Sequence, residues 1–240
     1  EPLILLVPEQ ATYQAERAVL SDNRVGGYNR LSVLSFNRLQ FLLSERSYTR
    51  PEISGIGRQM IIHDILQKRA GELKILRPAS GHTGLGRQIA ETVTELNKYA
   101  KTTQELEELL KKVEPESFTA AKFADIKLIM GDYQKAIEGR FMDSEIQMRQ
   151  CRRQIKGKEW LKAAALWVDG FASFTAVEME ILQELLKTAK EARIAICLDP
   201  DRIDLREPYL KDPDGLFSPT EQTYCDLVKF IAASKSKLDK

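Results

Sequence analysis

Five consecutive apolar residues, Leu3–Val7 (LILLV), constrain this chain more than any other segment. A strand that is apolar at every position must be covered on both faces, which is the situation inside a parallel sheet flanked by helices. Pro8 stops the run, and Glu9 to Leu20 reads as a helix burying Ala11, Ala15, Ala18 and Val19. Gly26-Gly27 marks a turn before a second strand, Leu31–Ser35 (LSVLS). Phe36 to Leu43 follows as a helix with Phe36, Leu39, Leu42 and Leu43 near one face. The same alternation returns far downstream, with a strand at Ala165–Asp169, a helix at Thr175 to Lys190 and a strand at Ala192–Leu198 ending in Asp199-Pro200. Strands separated by helices predict a parallel sheet with right-handed crossovers.

Between the two alternating stretches the period is helical. Ile56, Met60 and the Ile61–Leu66 cluster form one apolar stripe, Leu85, Ile89, Val93 and Leu96 a second, and Leu106, Leu109, Leu110 and Val113 a third. Phe123, Ile126, Ile129, Met130, Tyr133 and Ile137 recur at three- and four-residue steps, as a core-facing helix requires. Gly139 ends that helix and Asp143 suits the N-cap of the next. The expected organisation is therefore an α/β domain opened by an all-helical insertion: residues 1–53, the insertion 54–158, the second α/β part 159–200, and a loop and helix over 201–240. With no initiator Met and an apolar strand at its very start, the chain reads as a piece of a longer polypeptide.

Composition narrows the function classes. A net charge of +1 argues against a uniformly basic nucleic-acid coat while leaving room for a local basic groove. Cys151, Cys197 and Cys225 lack CxxC spacing, which points to a reducing, cytoplasmic setting and away from a disulfide framework or zinc site. With only His63 and His82, a histidine-rich metal centre is excluded. No apolar run approaches the roughly 20 residues needed to cross a bilayer.

Four phrases carry a family resemblance: LILLVPEQATYQAERAVL from Leu3, LSVLSFNRLQFLL from Leu31, GRFMDSEIQMR from Gly139 and VDGFASFTAVEMEIL from Val168. In this order they resemble the first RecA-like, P-loop NTPase domain of superfamily-1 helicases with its helical insertion. The wording is similar to the AddB subunits of bacterial AddAB helicase–nucleases. The resemblance implies a part in processing DNA double-strand breaks for recombinational repair. It implies an AddA-type motor and nuclease as partner in a heterodimer, and a helicase-like body that reads the Chi hotspot in single-stranded DNA. No G-x-x-x-x-G-K-[ST] phosphate loop occurs. In this fold that loop and the first strand precede Leu3, so ATP with Mg²⁺, and the family's iron–sulfur cluster, are expected only in the longer parent; no cofactor is expected in this chain.

Asp169 stands where the motor aspartate holds Mg²⁺, but the following residue is Gly170, which has no side chain to orient an attacking water. Hydrolysis is expected to be absent or very slow, and Asp169 to serve as a degenerate nucleotide site or as a simple cap on the turn before Thr175. Ligands of open α/β sheets bind beyond the carboxyl ends of the strands. That places Gln10 and Thr12 after the first strand, Phe36, Asn37 and Arg38 after the second, and Phe171 and Phe174 after the third, as candidate DNA contacts. Aromatic faces stack on bases, while amides and guanidinium groups bond base edges or phosphates. Phe36 and Phe171 are equally suited to the core, whereas Gln10, Thr12 and Arg38 have less reason to be buried, and Phe41 is expected in the core. The basic run Arg149, Arg152, Arg153, Lys156 and Lys158 reads as a solvated face, or else a contact to phosphate or the partner. GHTGLG (Gly81 to Gly86) reads as a loop before a helix. Two other functions remain open: an ATP-hydrolysing helicase core whose phosphate loop lies upstream, and a docking module for the motor subunit.

Overall fold

The strands β1 (Leu3–Leu6), β2 (Leu31–Leu34), β3 (Ala165–Val168) and β4 (Glu191–Ile194) pair in the order β2-β1-β3-β4, every pair parallel. This computed structural model describes residues 1–43, 50–99, 101–199, 201, 203–204, 208–210 and 212–234. The chain divides into two compact units, residues 1–45 with 150–240 and residues 46–149. The fold is thus α/β, a four-stranded parallel sheet with a helical insertion as in a RecA-like domain.

In the sheet unit the register decides where function can sit. Leu6 pairs with Leu34 on one side and with Val168 on the other. The three strands therefore end level, and the chain leaves all of them at one rim. Val7 N–H bonds the Leu34 carbonyl at 2.9 Å and Asp169 N–H the Leu6 carbonyl at 3.0 Å, so the ladder holds up to the loops. β1 leads through a 3-10 turn, Glu9–Ala11, into α1 (Thr12–Leu20), and β2 directly into α2 (Phe36–Leu43). The short α8 (Glu159–Lys162) precedes β3, and α9 (Ala176–Thr188) follows it under a reciprocal capping box between Thr175 and Glu178. α10 (Ser218–Ala233) closes the described chain.

Several expected packings are corrected. On α1 the fully buried residue is Thr12, while Ala18 is exposed. On α2 the inward face is Phe36, Leu39, Gln40 and Leu43; Leu42 and Phe41 point out, Phe41 with 64% of its surface exposed. The expected strand Ala192–Leu198 begins at Glu191, ends at Ile194 and is largely exposed, with Arg193 lying over the Trp167 ring. Pro200 and Arg202 lie outside the described residues.

The other unit is built from α3 (Gly55–Lys68), α4 (Thr83–Lys98), α5 (Thr103–Lys112), α6 (Phe118–Ile137) and the start of α7 (Ser144–Ile155). Ile62, Leu66, Val93, Leu106, Ile129, Met130 and Tyr133 form its core. Ile56 and Met60 do not join it, being 72% and 68% exposed. At 3.6 residues per turn they fall on the side of α3 opposite Ile62, Ile65 and Leu66. Gly84 and Gly86 lie within α4, not in a loop. A Cβ on Gly86 would come to 3.2 Å from the Cβ of His63, so this glycine lets α4 lie close on α3.

Two buried carboxylates organise the unit. Asp125 accepts backbone N–H bonds from Lys74, Ile75 and Leu76 at 2.9 to 3.1 Å, tying the loop after α3 to α6. Asp143 accepts at Oδ2 from the Tyr133 hydroxyl (2.6 Å) and from Arg58 (3.2 Å). Its Oδ1 receives the Ile146 N–H at 3.5 Å, so the expected N-cap is also part of a buried network. Burial, with Asp143 beside it, pushes the Tyr133 phenol well above the usual tyrosine range.

Candidate nucleic-acid interface

The three level strand ends enclose a crevice of about 310 Å³, lined among others by Pro8, Glu9, Gln10, Ser35, Asn37 and Phe171. Its size is at the lower end of small-ligand sites, which run about 300–1,000 Å³. Glu9, at the start of the 3-10 turn, reaches across to β2. Its Oε2 accepts a short hydrogen bond from the Ser35 hydroxyl and a second from the Asn37 amide at 3.2 Å. The Ser35 Oγ in turn receives the Arg38 backbone N–H at 3.2 Å, so the first turn of α2 and the loop after β1 form one polar unit.

The aromatic part comes from β2 and β3. Phe171 stacks on Phe174 with centroids 4.7 Å apart, and Phe36 meets both rings edge-on at 5.6 and 6.0 Å. Phe36 is buried, so it supports the pair from beneath, while Phe171 is half-buried and lines the crevice. The loop carrying them is braced from α10, where the buried Thr223 hydroxyl donates to the Ala172 carbonyl at 3.1 Å.

Of the residues singled out in the sequence, Gln10, Asn37 and Phe171 come together at the crevice, with Phe36 beneath. Phe174 packs behind Phe171. Arg38 is exposed on α2 and held by Glu16 of α1 at 2.8 Å, an exposed pair of the kind that contributes little and exchanges readily. Thr12 is a correction: only 3% exposed, its hydroxyl is spent on the Glu9 carbonyl at 2.9 Å. It shapes the turn that presents Glu9 and does not offer a surface. Glu9, Ser35 and Glu178 were missed: the partners Glu9 and Ser35 are 26 residues apart and only the parallel register brings them together, while Glu178 bonds the nearby Thr175 as a helix cap. An acid directly after a strand-ending proline was the signal available for Glu9.

Asp169 is exposed, and among the described residues its carboxylate takes no hydrogen bond, so it does not cap the turn. Gly170 has φ +80, in the left-handed region, where a side chain costs about 1–2 kcal/mol. The glycine is therefore a backbone requirement of this turn as well as a missing carboxylate. Among the described residues Glu9 and Glu178 line the crevice and no lysine or arginine does, so these residues by themselves do not fit a triphosphate. Cys151 and Cys225 are buried and Cys197 is exposed; among the described residues no group of three or more His, Cys, Asp or Glu side chains is placed to hold a metal ion. The thiols do not fit an iron–sulfur cluster. Burial pushes the Cys151 thiol up to about 12.

The basic run on α7 turns out to be partly paired. Arg152 contacts Glu180 and the buried Glu184 of α9 at 3.1 and 3.7 Å, and Lys156 contacts Glu184 at 3.7 Å. The side chain of Arg149 lies outside the described residues. No described helix is long and apolar enough to cross a membrane.

The family model described as "ADDB, N-terminal" matches residues 1–240. The chain belongs to the AddB N-terminal family. It is 32% identical, over 99% of its length, to an ATP-dependent helicase/deoxyribonuclease subunit of Symbiobacterium thermophilum. It is 34% identical over its whole length to the subunit of that name from Desulforudis audaxviator, and 32% identical over 99% to that of Desulforamulus reducens. The chain spans about a fifth of the length of these curated relatives, 21%, 20% and 20% respectively. The AddB-like phrases PEQAT, SFNRL and VDGF fall on the three loops of the crevice.

Proposed function

We propose that this chain is the helicase-like module of a DNA-repair helicase–nuclease subunit, and that its rim crevice holds single-stranded DNA, reading a Chi-type hotspot without hydrolysing nucleotide. The observation that carries this is the convergence of Gln10, Asn37 and Phe171 on one rim. Amides that bond base edges stand there beside an aromatic face on which a base can stack. The relatives are named as subunits, which supports a partner. In this proposal the partner is an AddA-type motor, the setting is the cytoplasm, and this chain carries neither ATP with Mg²⁺ nor an iron–sulfur cluster. The left-handed Gly170 and the acidic crevice support a module that does not turn over ATP.

The test is a Gln10→Ala/Asn37→Ala/Phe171→Ala variant of the intact protein with its partner subunit. It is expected to lose its response to the hotspot during DNA degradation. An unchanged hotspot response refutes the site, and robust DNA-stimulated ATP turnover by the intact protein without its partner refutes the inactive motor. A second function, in which the helical insertion docks the motor subunit, is favoured by Ile56 and Met60, exposed one turn apart on α3.

A further inference from the structure

Glu9 is the crevice residue whose chemistry a general affinity for single strands leaves unused. Although solvent-exposed, its carboxylate is held at Oε2 by the Ser35 hydroxyl and the Asn37 amide. Among the described residues Oε1 takes no hydrogen bond, so it stands as an acceptor at the rim. The same contact orients Asn37. A carboxylate only accepts, so the NH₂ of Asn37 faces Glu9 and its carbonyl oxygen is left as a second acceptor. Glu178 adds a further carboxylate to the lining, and Phe171 adds an aromatic surface.

This lining repels phosphate and suits a base presenting hydrogen-bond donors. Adenine, cytosine and guanine each carry an exocyclic amino group, whereas thymine presents carbonyl oxygens in its place. The one ring N–H on the pairing edge of thymine lies between two carbonyls, which would face the oxygens of Glu9 and Asn37. We infer that the rim crevice is a base-reading subsite in which the Glu9 carboxylate, held by Ser35 and Asn37, selects bases bearing an exocyclic amino group over thymine. This rests on the single-stranded DNA function proposed above and names the ligand class of that same site.

The experiment uses fluorescence anisotropy to measure how the intact protein with its partner subunit binds short oligo(dC) and oligo(dT), since these two pyrimidines are alike in size. The wild type is expected to bind oligo(dC) on the order of 10-fold more tightly than oligo(dT). In Glu9→Gln the charge is gone and a donor is added. Affinity for oligo(dC) falls and that for oligo(dT) rises, bringing the two within about twofold. Misfolding lowers both affinities and cannot produce opposite movements. Ser35→Ala, which loosens the anchor and leaves the charge, narrows the ratio by a smaller factor. Equal wild-type affinities, or a ratio that survives Glu9→Gln, overturn the inference while leaving the single-strand function standing. A Phe171→Ala variant that binds both oligonucleotides as the wild type does overturns both.

Discussion

Gly170 permits a prediction whose sign follows from the backbone alone. A Cβ placed there would sit 3.4 Å from Pro8 Cδ and 3.8 Å from Cγ, ordinary contact distances, so sterics add nothing. The φ of +80 remains, at about 1–2 kcal/mol for alanine in the left-handed region. Alanine also restricts the unfolded chain, which returns about 0.4–1 kcal/mol. Gly170→Ala should thus destabilise by roughly 1 kcal/mol, with Gly170→Asn losing less because asparagine tolerates this conformation. Gly131 is the contrast, mid-way along α6 with nothing within 4 Å of an added Cβ. Gly131→Ala should stabilise by about 0.5–1 kcal/mol. Native-state hydrogen exchange on the intact protein reads both. Amides of β3 and its loop should exchange about fivefold faster in Gly170→Ala, and those of α6 several-fold slower in Gly131→Ala. Gly170→Glu should cost as much as alanine. Unchanged or slower exchange at β3 in Gly170→Ala would refute the backbone argument.

Asp125→Ala removes the acceptor of three consecutive backbone N–H groups; at about 2 kcal/mol it should speed exchange of amides 74–76 on the order of 30-fold, with Asp125→Asn intermediate. Tyr133 is neutral when folded and its pKa is raised, so the stability it contributes is whole below the ordinary tyrosine value of about 10 and is lost as pH climbs through the raised one. Tyr133→Phe should cost about 1–2 kcal/mol at neutral pH and remove that alkaline decline, checked by pH-dependent hydrogen exchange in α6.

The sheet was legible because Leu3–Val7 and Ala165–Val168 are apolar beyond what any exposed strand needs, and α6 because its apolar residues keep strict helical steps. What failed was the angular phase of short helices. Ile56, Met60, Phe41 and Leu42 are apolar, yet each lies off the buried arc of a helix whose first residue the sequence does not fix. Thr12 and Gln40 are the converse, polar residues turned inward where the turn geometry and not the hydropathy decides. Gln10, Asn37 and Phe171, which line one crevice, were singled out because strand ends are where loops carry ligands. Glu9 was not, since its meaning depends on Ser35 and Asn37, 26 and 28 residues away.

The level ending of β2, β1 and β3 also sets a length scale. Neighbouring strands lie about 4.8 Å apart, so from the β2 side, with Asn37, to the β3 side, with Phe171, the rim measures roughly 10 Å. A stacked single strand advances roughly 3.4 Å per nucleotide, so this gauge admits about three stacked bases, or fewer when they are splayed. Under the DNA-reading function proposed above, a longer recognition word is read in relay, with the rim as one reading head and its remaining letters met by residues beyond these three loops.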